Sequence, residues 1–390
     1  MKPIPMLDLR LEYEYMKKDI DAAIQKCLEH QKWIFGPEIK ELEDNIADYI
    51  GVKHSVGVSS GTEALVLSLR ALAIKLKKQE YWDRDDLIIT TPFTFTATGD
   101  AILRAGATPL FVDIDPRTYN IDPNEIRQAL GSSLFSDKVV GIIPVHLYGQ
   151  SCQMDKIIEI AKEFNLFVLE DVAQAFGGMW NGKKLGSIGT AGTFSFFPSK
   201  NLGGFGDAGM ISTDDAEVTE LVRMLLKHGG KDKYNVDHIG YNARLDTLQA
   251  AILLAKFKYI DEFNERRRKI AEIYSKELAG IDGLVLPYNH ELSAMSNELY
   301  HVYHQYTIRV LNGKRDNLQA YLKEKGISTM VYYPVPLHKM KVFEGRSKTD
   351  NTSKASFNAD NAVSEILSLP VEPLMEEQDI KTVIDAVRAF

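Results

Sequence analysis

Through the first half of the chain, short apolar runs alternate with longer amphipathic ones. "SVGVSS" (55–60) reads as a strand, and "TEALVLSLRALAIKLKK" (62–78) as a helix. "DLIITTP" (86–92) is a strand and "TATGDAILRAG" (96–106) a helix. "TPLFVDID" (108–115), "VVGIIPVHL" (139–147) and "NLFVLEDV" (165–172) are further strands. "MDKIIEIAKEF" (154–164) is the helix between the last two. Strands that alternate with helices predict a mostly parallel sheet covered by helices on both faces. Such strands are apolar throughout, as "IIPV" and "FVL" are. "GTFSFF" and "AGMISTDD" (208–215) add two strands with no helix between them, so an antiparallel edge or hairpin is expected there.

The pattern changes after residue 244. "RLDTLQAAILLAKFKYIDEFNERRRKIAEIYSKEL" (244–278) keeps a helical period for over thirty residues and reads as a long connector, straight or bent. "YHQYTIRV" (303–310) and "ISTMVYY" (327–333) read as strands, with "KRDNLQAYLKEKG" (314–326) as a helix between them. A second, smaller α+β domain is therefore expected at the C-terminal end. The division is a large domain over 1–255 and a connector plus small domain over 256–390. The charged insertion "KLKKQEYWDRDD" (75–86) is expected to be a solvated surface loop.

Composition narrows the function. A chain of 390 residues, 45% hydrophobic and 26% charged, can bury a large core. A net charge of −8 argues against nucleic acid as a partner. Cys27 and Cys152 are the two cysteines, and neither sits in a metal-spaced cluster, so no metal site is expected. The opening "MKPIPMLDLRLEYEY" lacks an apolar signal segment, and no run of residues is long enough to span a membrane. A cytoplasmic protein is expected.

Four stretches carry candidate chemistry. Gly204-x-Gly206-x-x-Gly209 matches a dinucleotide fingerprint in form, but a strand follows it where a helix is required, so the match fails. In "LFVLEDVAQAFG" an apolar strand delivers Glu170 and Asp171 at its C-terminal end, where open α/β sheets bind ligands. The two point to opposite sides; one faces a site, or both are turn carboxylates. Lys200 lies between "SFFPS" and "NLGGFG", without charged neighbours. It is either a surface lysine or an amine whose pKa is lowered for nucleophilic work. Ser60, Gly61 and Thr62 open a helix directly after a strand, which makes either an anion cradle or a plain cap. Pyridoxal 5'-phosphate uses all three elements together: a lysine for its aldehyde, a carboxylate for its ring nitrogen and a helix N-terminus for its phosphate.

The motifs "SSGTEAL", "TPFTFTAT", "PVHLYGQ", "EDVAQAFG", "SFFPSKNLGGFGDAG", "GYNARLDTLQAAIL" and "YPVPLH" occur in that order over nearly the whole chain. With them the sequence resembles the DegT/StrS family of nucleotide-sugar aminotransferases. The resemblance implies the fold type I architecture of pyridoxal-phosphate enzymes: a large α/β domain with a mostly parallel seven-stranded sheet, and a smaller C-terminal α+β domain. It implies that Lys200 forms the Schiff base and shuttles the proton, that Asp171 pairs with the pyridine nitrogen, that Gln174 meets the 3-hydroxyl side, and that Phe95 stacks on the ring. It gives Gly61, Thr62 and Ser195 to the phosphate. Asn242 is expected to reach the partner subunit's cofactor in a homodimer. Arg244, Tyr333 and His338 are expected near the substrate. Tyr332 stands where many relatives have histidine.

The implied reaction is ping-pong, from L-glutamate to a nucleotide-linked keto-sugar. The subgroup most resembled aminates C3 of UDP-2-acetamido-2-deoxy-3-keto-glucuronic acid, with Arg244 on the sugar carboxylate. A dTDP-3-keto-6-deoxyhexose at C3, a nucleotide 4-keto-sugar at C4, and a non-catalytic cofactor-binding regulator are the alternatives. Surface-polysaccharide or lipopolysaccharide synthesis, or antibiotic-sugar synthesis, is the setting typical of the family.

Overall fold

The structure, a computed structural model, describes residues 3–232, 234–288, 299–350 and 357–390. The chain begins with two helices, α1 (Leu9–His30) and α2 (Pro37–Ile50). Asp8 caps α1 by accepting from the N–H groups of Arg10 and Leu11. Pro37 opens α2, where its missing N–H costs nothing.

The α/β region follows in the expected alternation: β1 (His54–Val58), α3 (Gly61–Lys77), β2 (Leu87–Thr90), α4 (Thr96–Arg104), β3 (Thr108–Phe111), α5 (Pro123–Gly131), β4 (Val139–Ile143), α6 (Met154–Glu163) and β5 (Phe167–Asp171). A two-residue ribbon, β6 (Met179–Trp180) with β7 (Lys183–Lys184), leads to β8 (Ala191–Ser195) and β9 (Gly209–Thr213). α7 (Ala216–Leu225), α8 (Thr247–Phe257) and α9 (Ile260–Glu277) then lead to the second sheet.

The large sheet has the order β1-β9-β8-β5-β4-β2-β3, extended at its edge by β12 (Lys348–Thr349). Only β9 runs against its neighbours; every other pairing is parallel. β8 and β9 pair directly, as their short connection requires. α3 is mostly apolar because it is enclosed: Ala64 through Ile74 are all buried, among them Leu67 and Leu69 against the sheet core. Ile39, Leu42 and Ile46 of α2 pack on the other face with Phe194, Phe196 and Leu253.

The second sheet is antiparallel, with order β10 (Leu284–Val285), β11 (Tyr306–Val310) and β13 (Ile366–Leu369). α10 (Arg315–Glu324) and α12 (Glu377–Ala389) cover it, and α11 (Asn358–Glu365) enters β13 directly. Tyr274 of α9 packs into this core with Tyr306, Leu318 and Ile384.

Three expectations need correction, and the connector, left open as straight or bent, is decided. The large sheet has eight strands rather than seven; the eighth is two residues with no apolar run, and it is a strand only because it lies beside β3. The long connector is two helices broken at Lys258 and Tyr259, where the Tyr259 hydroxyl bonds Asp19 of α1 and its ring packs on Tyr15. "ISTMVYY" forms no strand: Ile327 bridges Ile4 and Met330 bridges Ser368, and prolines 334 and 336 follow, which cannot donate to a ladder. The 75–86 insertion is not simply solvated. Trp82 is 4% exposed and its Nε1–H donates to the Leu69 carbonyl at 2.8 Å. Glu80 accepts from buried Arg70 at 2.9 Å and lies 2.7 Å from Nδ1 of His238.

Candidate active site

The C-terminal ends of β1, β2, β5 and β8 open into one cleft of about 530 Å³. That is the edge where parallel sheets leave room for a ligand. Two walls come from strand-to-helix turns and the others from loops that follow β5 and β8. Ser60, Gly61 and Thr62 stand where β1 becomes α3; Phe95 and Thr98 stand where β2 leads into α4. Asp171 ends β5, with Ala173 and Gln174 just beyond it. Ser195 ends β8, and its loop carries Phe197, Ser199 and Lys200. Tyr332 and Tyr333 close the remaining side.

Glu170 and Asp171 divide as strand geometry requires. Glu170 is fully buried and accepts from the N–H groups of Gly186 at 2.9 Å, Ile188 at 2.8 Å and Gly189 at 2.7 Å. His146 completes its shell. The His146 Nδ1 accepts from the Cys152 N–H at 3.1 Å, so its Nε2 carries the proton and donates to Glu170 at 3.2 Å. Glu170 therefore pins the 186–189 turn and is not available to a ligand.

Asp171 faces the cleft at 4% exposure. Burial pushes its carboxyl above the ordinary range; the Ala173 N–H, the Thr98 hydroxyl and the charge of Lys200 act against that. Lys200 is pushed down to about 8 by burial, while the Asp171 carboxylate pulls it the other way. Burial outweighs the neighbouring charge, so a large neutral fraction is within reach at moderate pH.

Gln174 is fixed from both ends. Its Oε1 accepts from the Tyr148 N–H at 2.8 Å, and its Nε2 donates to the Tyr333 hydroxyl at 2.8 Å. The Phe95 ring is 55% exposed at the cleft and lies 5.9 Å from that of Tyr333. At the start of α3, Ser60 caps the helix by accepting from the Glu63 N–H at 3.1 Å.

The backbones here approach too closely for any side chain on the two glycines. A Cβ on Gly61 would lie 2.6 Å from Cβ of Ser195, and one on Gly209 would lie 2.4 Å from the Ser60 carbonyl. The first N–H groups of α3 thus lie beside Ser195 with no Cβ between, which is the cradle a phosphate needs. A lysine of lowered pKa, an opposing buried carboxylate and this cradle in one cleft fit pyridoxal phosphate. Lys200, Asp171, Gly61, Thr62 and Ser195 would hold it.

Of the residues singled out in the sequence, Lys200, Asp171, Gln174, Ser195, Gly61, Thr62, Phe95 and Tyr333 line this cleft. Asn242, Arg244 and His338 do not. Asn242 is exposed and bridges Lys227; Arg244 bridges Val58, with a buried Nε that has no hydrogen-bond partner among the described residues. His338 packs on Phe357, with its Nε2 3.2 Å from Asp360, away from the cleft. Ser199, read from the sequence as a donor to an anion beside Lys200, and Tyr332 also line the cleft; Thr94, Thr98 and Asp207 line it and were not assigned from the sequence.

The profile of the DegT/DnrJ/EryC1/StrS aminotransferase family matches residues 14–388. The chain is 44% identical to a pleiotropic regulatory protein of Geobacillus stearothermophilus over 99% of its length and 98% of the relative's. It is 40% identical to a UDP-N-acetyl-3-dehydro-alpha-D-glucosamine 3-aminotransferase of Acidithiobacillus ferrooxidans, covering 99% and 97%. It is 38% identical to a UDP-2-acetamido-2-deoxy-3-oxo-D-glucuronate aminotransferase of Pseudomonas aeruginosa, covering 98% and 99%. Among solved structures, S. venezuelae DesV in complex with a ketimine intermediate superposes with a TM-score of 0.90 at 35% identity, over 100% of this chain and 98% of that one. The chain belongs to the DegT/DnrJ/EryC1/StrS aminotransferase family, whose cofactor is pyridoxal 5'-phosphate.

Proposed function

We propose that the protein moves an amino group from L-glutamate to C3 of a UDP-linked 2-acetamido-2-deoxy-3-keto sugar, with the glucuronic acid form as the first candidate. One observation carries the aminotransferase chemistry: Lys200, with its pKa pushed down to about 8, shares a cleft with the buried carboxylate of Asp171. The choice of sugar rests on relatives of 40% and 38% identity, both named for UDP-linked 3-keto amino-sugar substrates.

Bound pyridoxal phosphate supplies a carbonyl that captures amines and a protonated ring that accepts electrons. The chain supplies the rest. Lys200 would hold the cofactor through Nζ, and its neutral Nζ would be the base that takes the proton from the amino donor's α-carbon. Asp171 holds the proton on the ring nitrogen. Phe95 would cover the ring, and Gln174, locked between Tyr148 and Tyr333, would meet its 3-hydroxyl side. Gly61, Thr62 and Ser195 bind phosphate.

Asn242 lies outside its own cleft, and the exposed apolar side chains of Trp33, Ile34 and Phe35 and of Val236 and Ile239 call for cover. Both facts support a homodimer in which Asn242 serves the partner's cofactor and Arg244 serves the sugar carboxylate. A cytoplasmic setting suits a nucleotide-sugar substrate.

A spectral experiment tests this. The cofactor-loaded protein receives L-glutamate, and the visible band of the lysine-linked cofactor is followed as it converts to the amine form. Nucleotide keto-sugars are then added singly. Recovery of the visible band by the UDP-3-keto-uronate alone supports the full reading. Recovery by its non-uronate form or by a dTDP sugar keeps the chemistry and overturns the sugar. The relative named as a regulatory protein favours a second reading, a cofactor-binding regulator. A band that no amino donor moves would support it.

A further inference from the structure

Asp171 is a buried carboxylate that receives two side-specific hydrogen bonds from the chain. Its Oδ1 accepts from the Ala173 N–H at 3.2 Å, and its Oδ2 accepts from the Thr98 hydroxyl at 2.9 Å. Thr98 is 1% exposed, in the first turn of α4. Its hydroxyl crosses to the end of β5.

A hydroxyl has one proton. That of Thr98 goes to Asp171, so in the 3.3 Å contact between the Thr98 and Thr94 hydroxyls, Thr94 is the donor. The direction is therefore fixed, from Thr94 to Thr98 to Asp171. Both threonines are buried and both line the cleft.

We propose that Thr98, oriented by Thr94, is a positioning residue that keeps the Asp171 carboxylate ionised and aims it at the cofactor's ring nitrogen. The inference rests on the reading that Asp171 meets that nitrogen. A donor to a carboxylate favours its charged form. Burial drives Asp171 toward protonation, and Thr98 is one of the few groups opposing it. Without the Thr98 proton, Asp171 competes harder for the proton it shares with the ring. The ring loses positive character and accepts electrons less well.

Thr98→Val keeps the shape and removes the donor. A hydrogen bond to a charged group supports an expected fall in kcat for the glutamate half-reaction of roughly ten- to hundredfold, with KM little changed. Thr98→Ser should restore most of it, and Thr94→Val should show a smaller loss in the same direction. The direct readout is the nitrogen NMR shift of isotope-labelled cofactor, which should move toward the unprotonated position in Thr98→Val and return in Thr98→Ser. A Thr98→Val protein with wild-type shift and kcat would overturn the proposal. So would a serine variant that stays as impaired as valine, because packing of the methyl would then be the cause. If the valine variant does not fold, Thr98→Ala is read the same way. Asp171→Asn is measured alongside. If it too leaves the nitrogen shift unmoved, the Asp171 reading fails; if it moves the shift while Thr98→Val does not, only the role of Thr98 fails.

Discussion

The pKa of Lys200 decides whether this cleft can work near neutral pH. Burial moves it from 10.5 to about 8. At pH 7 a lysine of pKa 8 is about 9% neutral, against about 0.03% at 10.5, a gain of roughly 300-fold in reactive amine. The Asp171 carboxylate works against the shift, since its charge favours the protonated amine. Asp171→Asn keeps the volume and removes that charge, so the lysine midpoint should fall below the wild-type value of about 8. The assay is competitive acetylation of the cofactor-free protein across pH, with the label on Lys200 read by mass spectrometry. This readout avoids the cofactor's own titration. A wild-type midpoint near 10.5, or an asparagine variant whose midpoint rises, would refute the reasoning. The same shift has a consequence for stability. A lysine whose folded pKa is lowered opposes folding below that pKa, here by about 3 kcal/mol, and the opposition fades as pH rises from about 8 to 10.5. Cofactor-free Lys200→Met should lose that rise in stability with pH, measured by denaturant midpoints.

Three other outcomes are expected. Glu170→Gln places an amide N–H₂ among the N–H groups of Gly186, Ile188 and Gly189, and should cost about 2–4 kcal/mol in urea unfolding; a loss under about 1 kcal/mol would deny Glu170 its pinning role. Gly61→Ala forces a Cβ to within 2.6 Å of Ser195, and crowding of that kind should weaken cofactor binding roughly tenfold or more in equilibrium titration; unchanged affinity would remove the cradle from the argument. If Asn242 serves the partner's site, mixing inactive Lys200→Ala and Asn242→Ala subunits should restore about a quarter of wild-type activity, because half the dimers are mixed and each holds one complete site; no recovery after verified subunit exchange would place Asn242 elsewhere.

By itself, the order of apolar runs determined the α/β alternation, the parallel sheet and the antiparallel β8–β9 pair, because a buried strand or an enclosed helix must be apolar whatever its neighbours are. It also marked Lys200 and Asp171, since an amine without charged neighbours and a carboxylate at the end of an apolar strand are both unusual. It was silent wherever an element exists through its partners. Lys348–Thr349 is a strand because β3 lies beside it, and the helix breaks at Tyr259 because α1 supplies Asp19. Trp82 turns a charged insertion into a docked one. In the cleft, the residue pattern left Glu170 and Asp171 undivided and the family resemblance named Asp171; the fold gives the reason, since one meets three N–H groups of a turn and the other faces open space. Strand alternation says that they differ. Why one of them is free to act depends on what each side of the sheet is packed against, and that physical reason belongs to the folded chain.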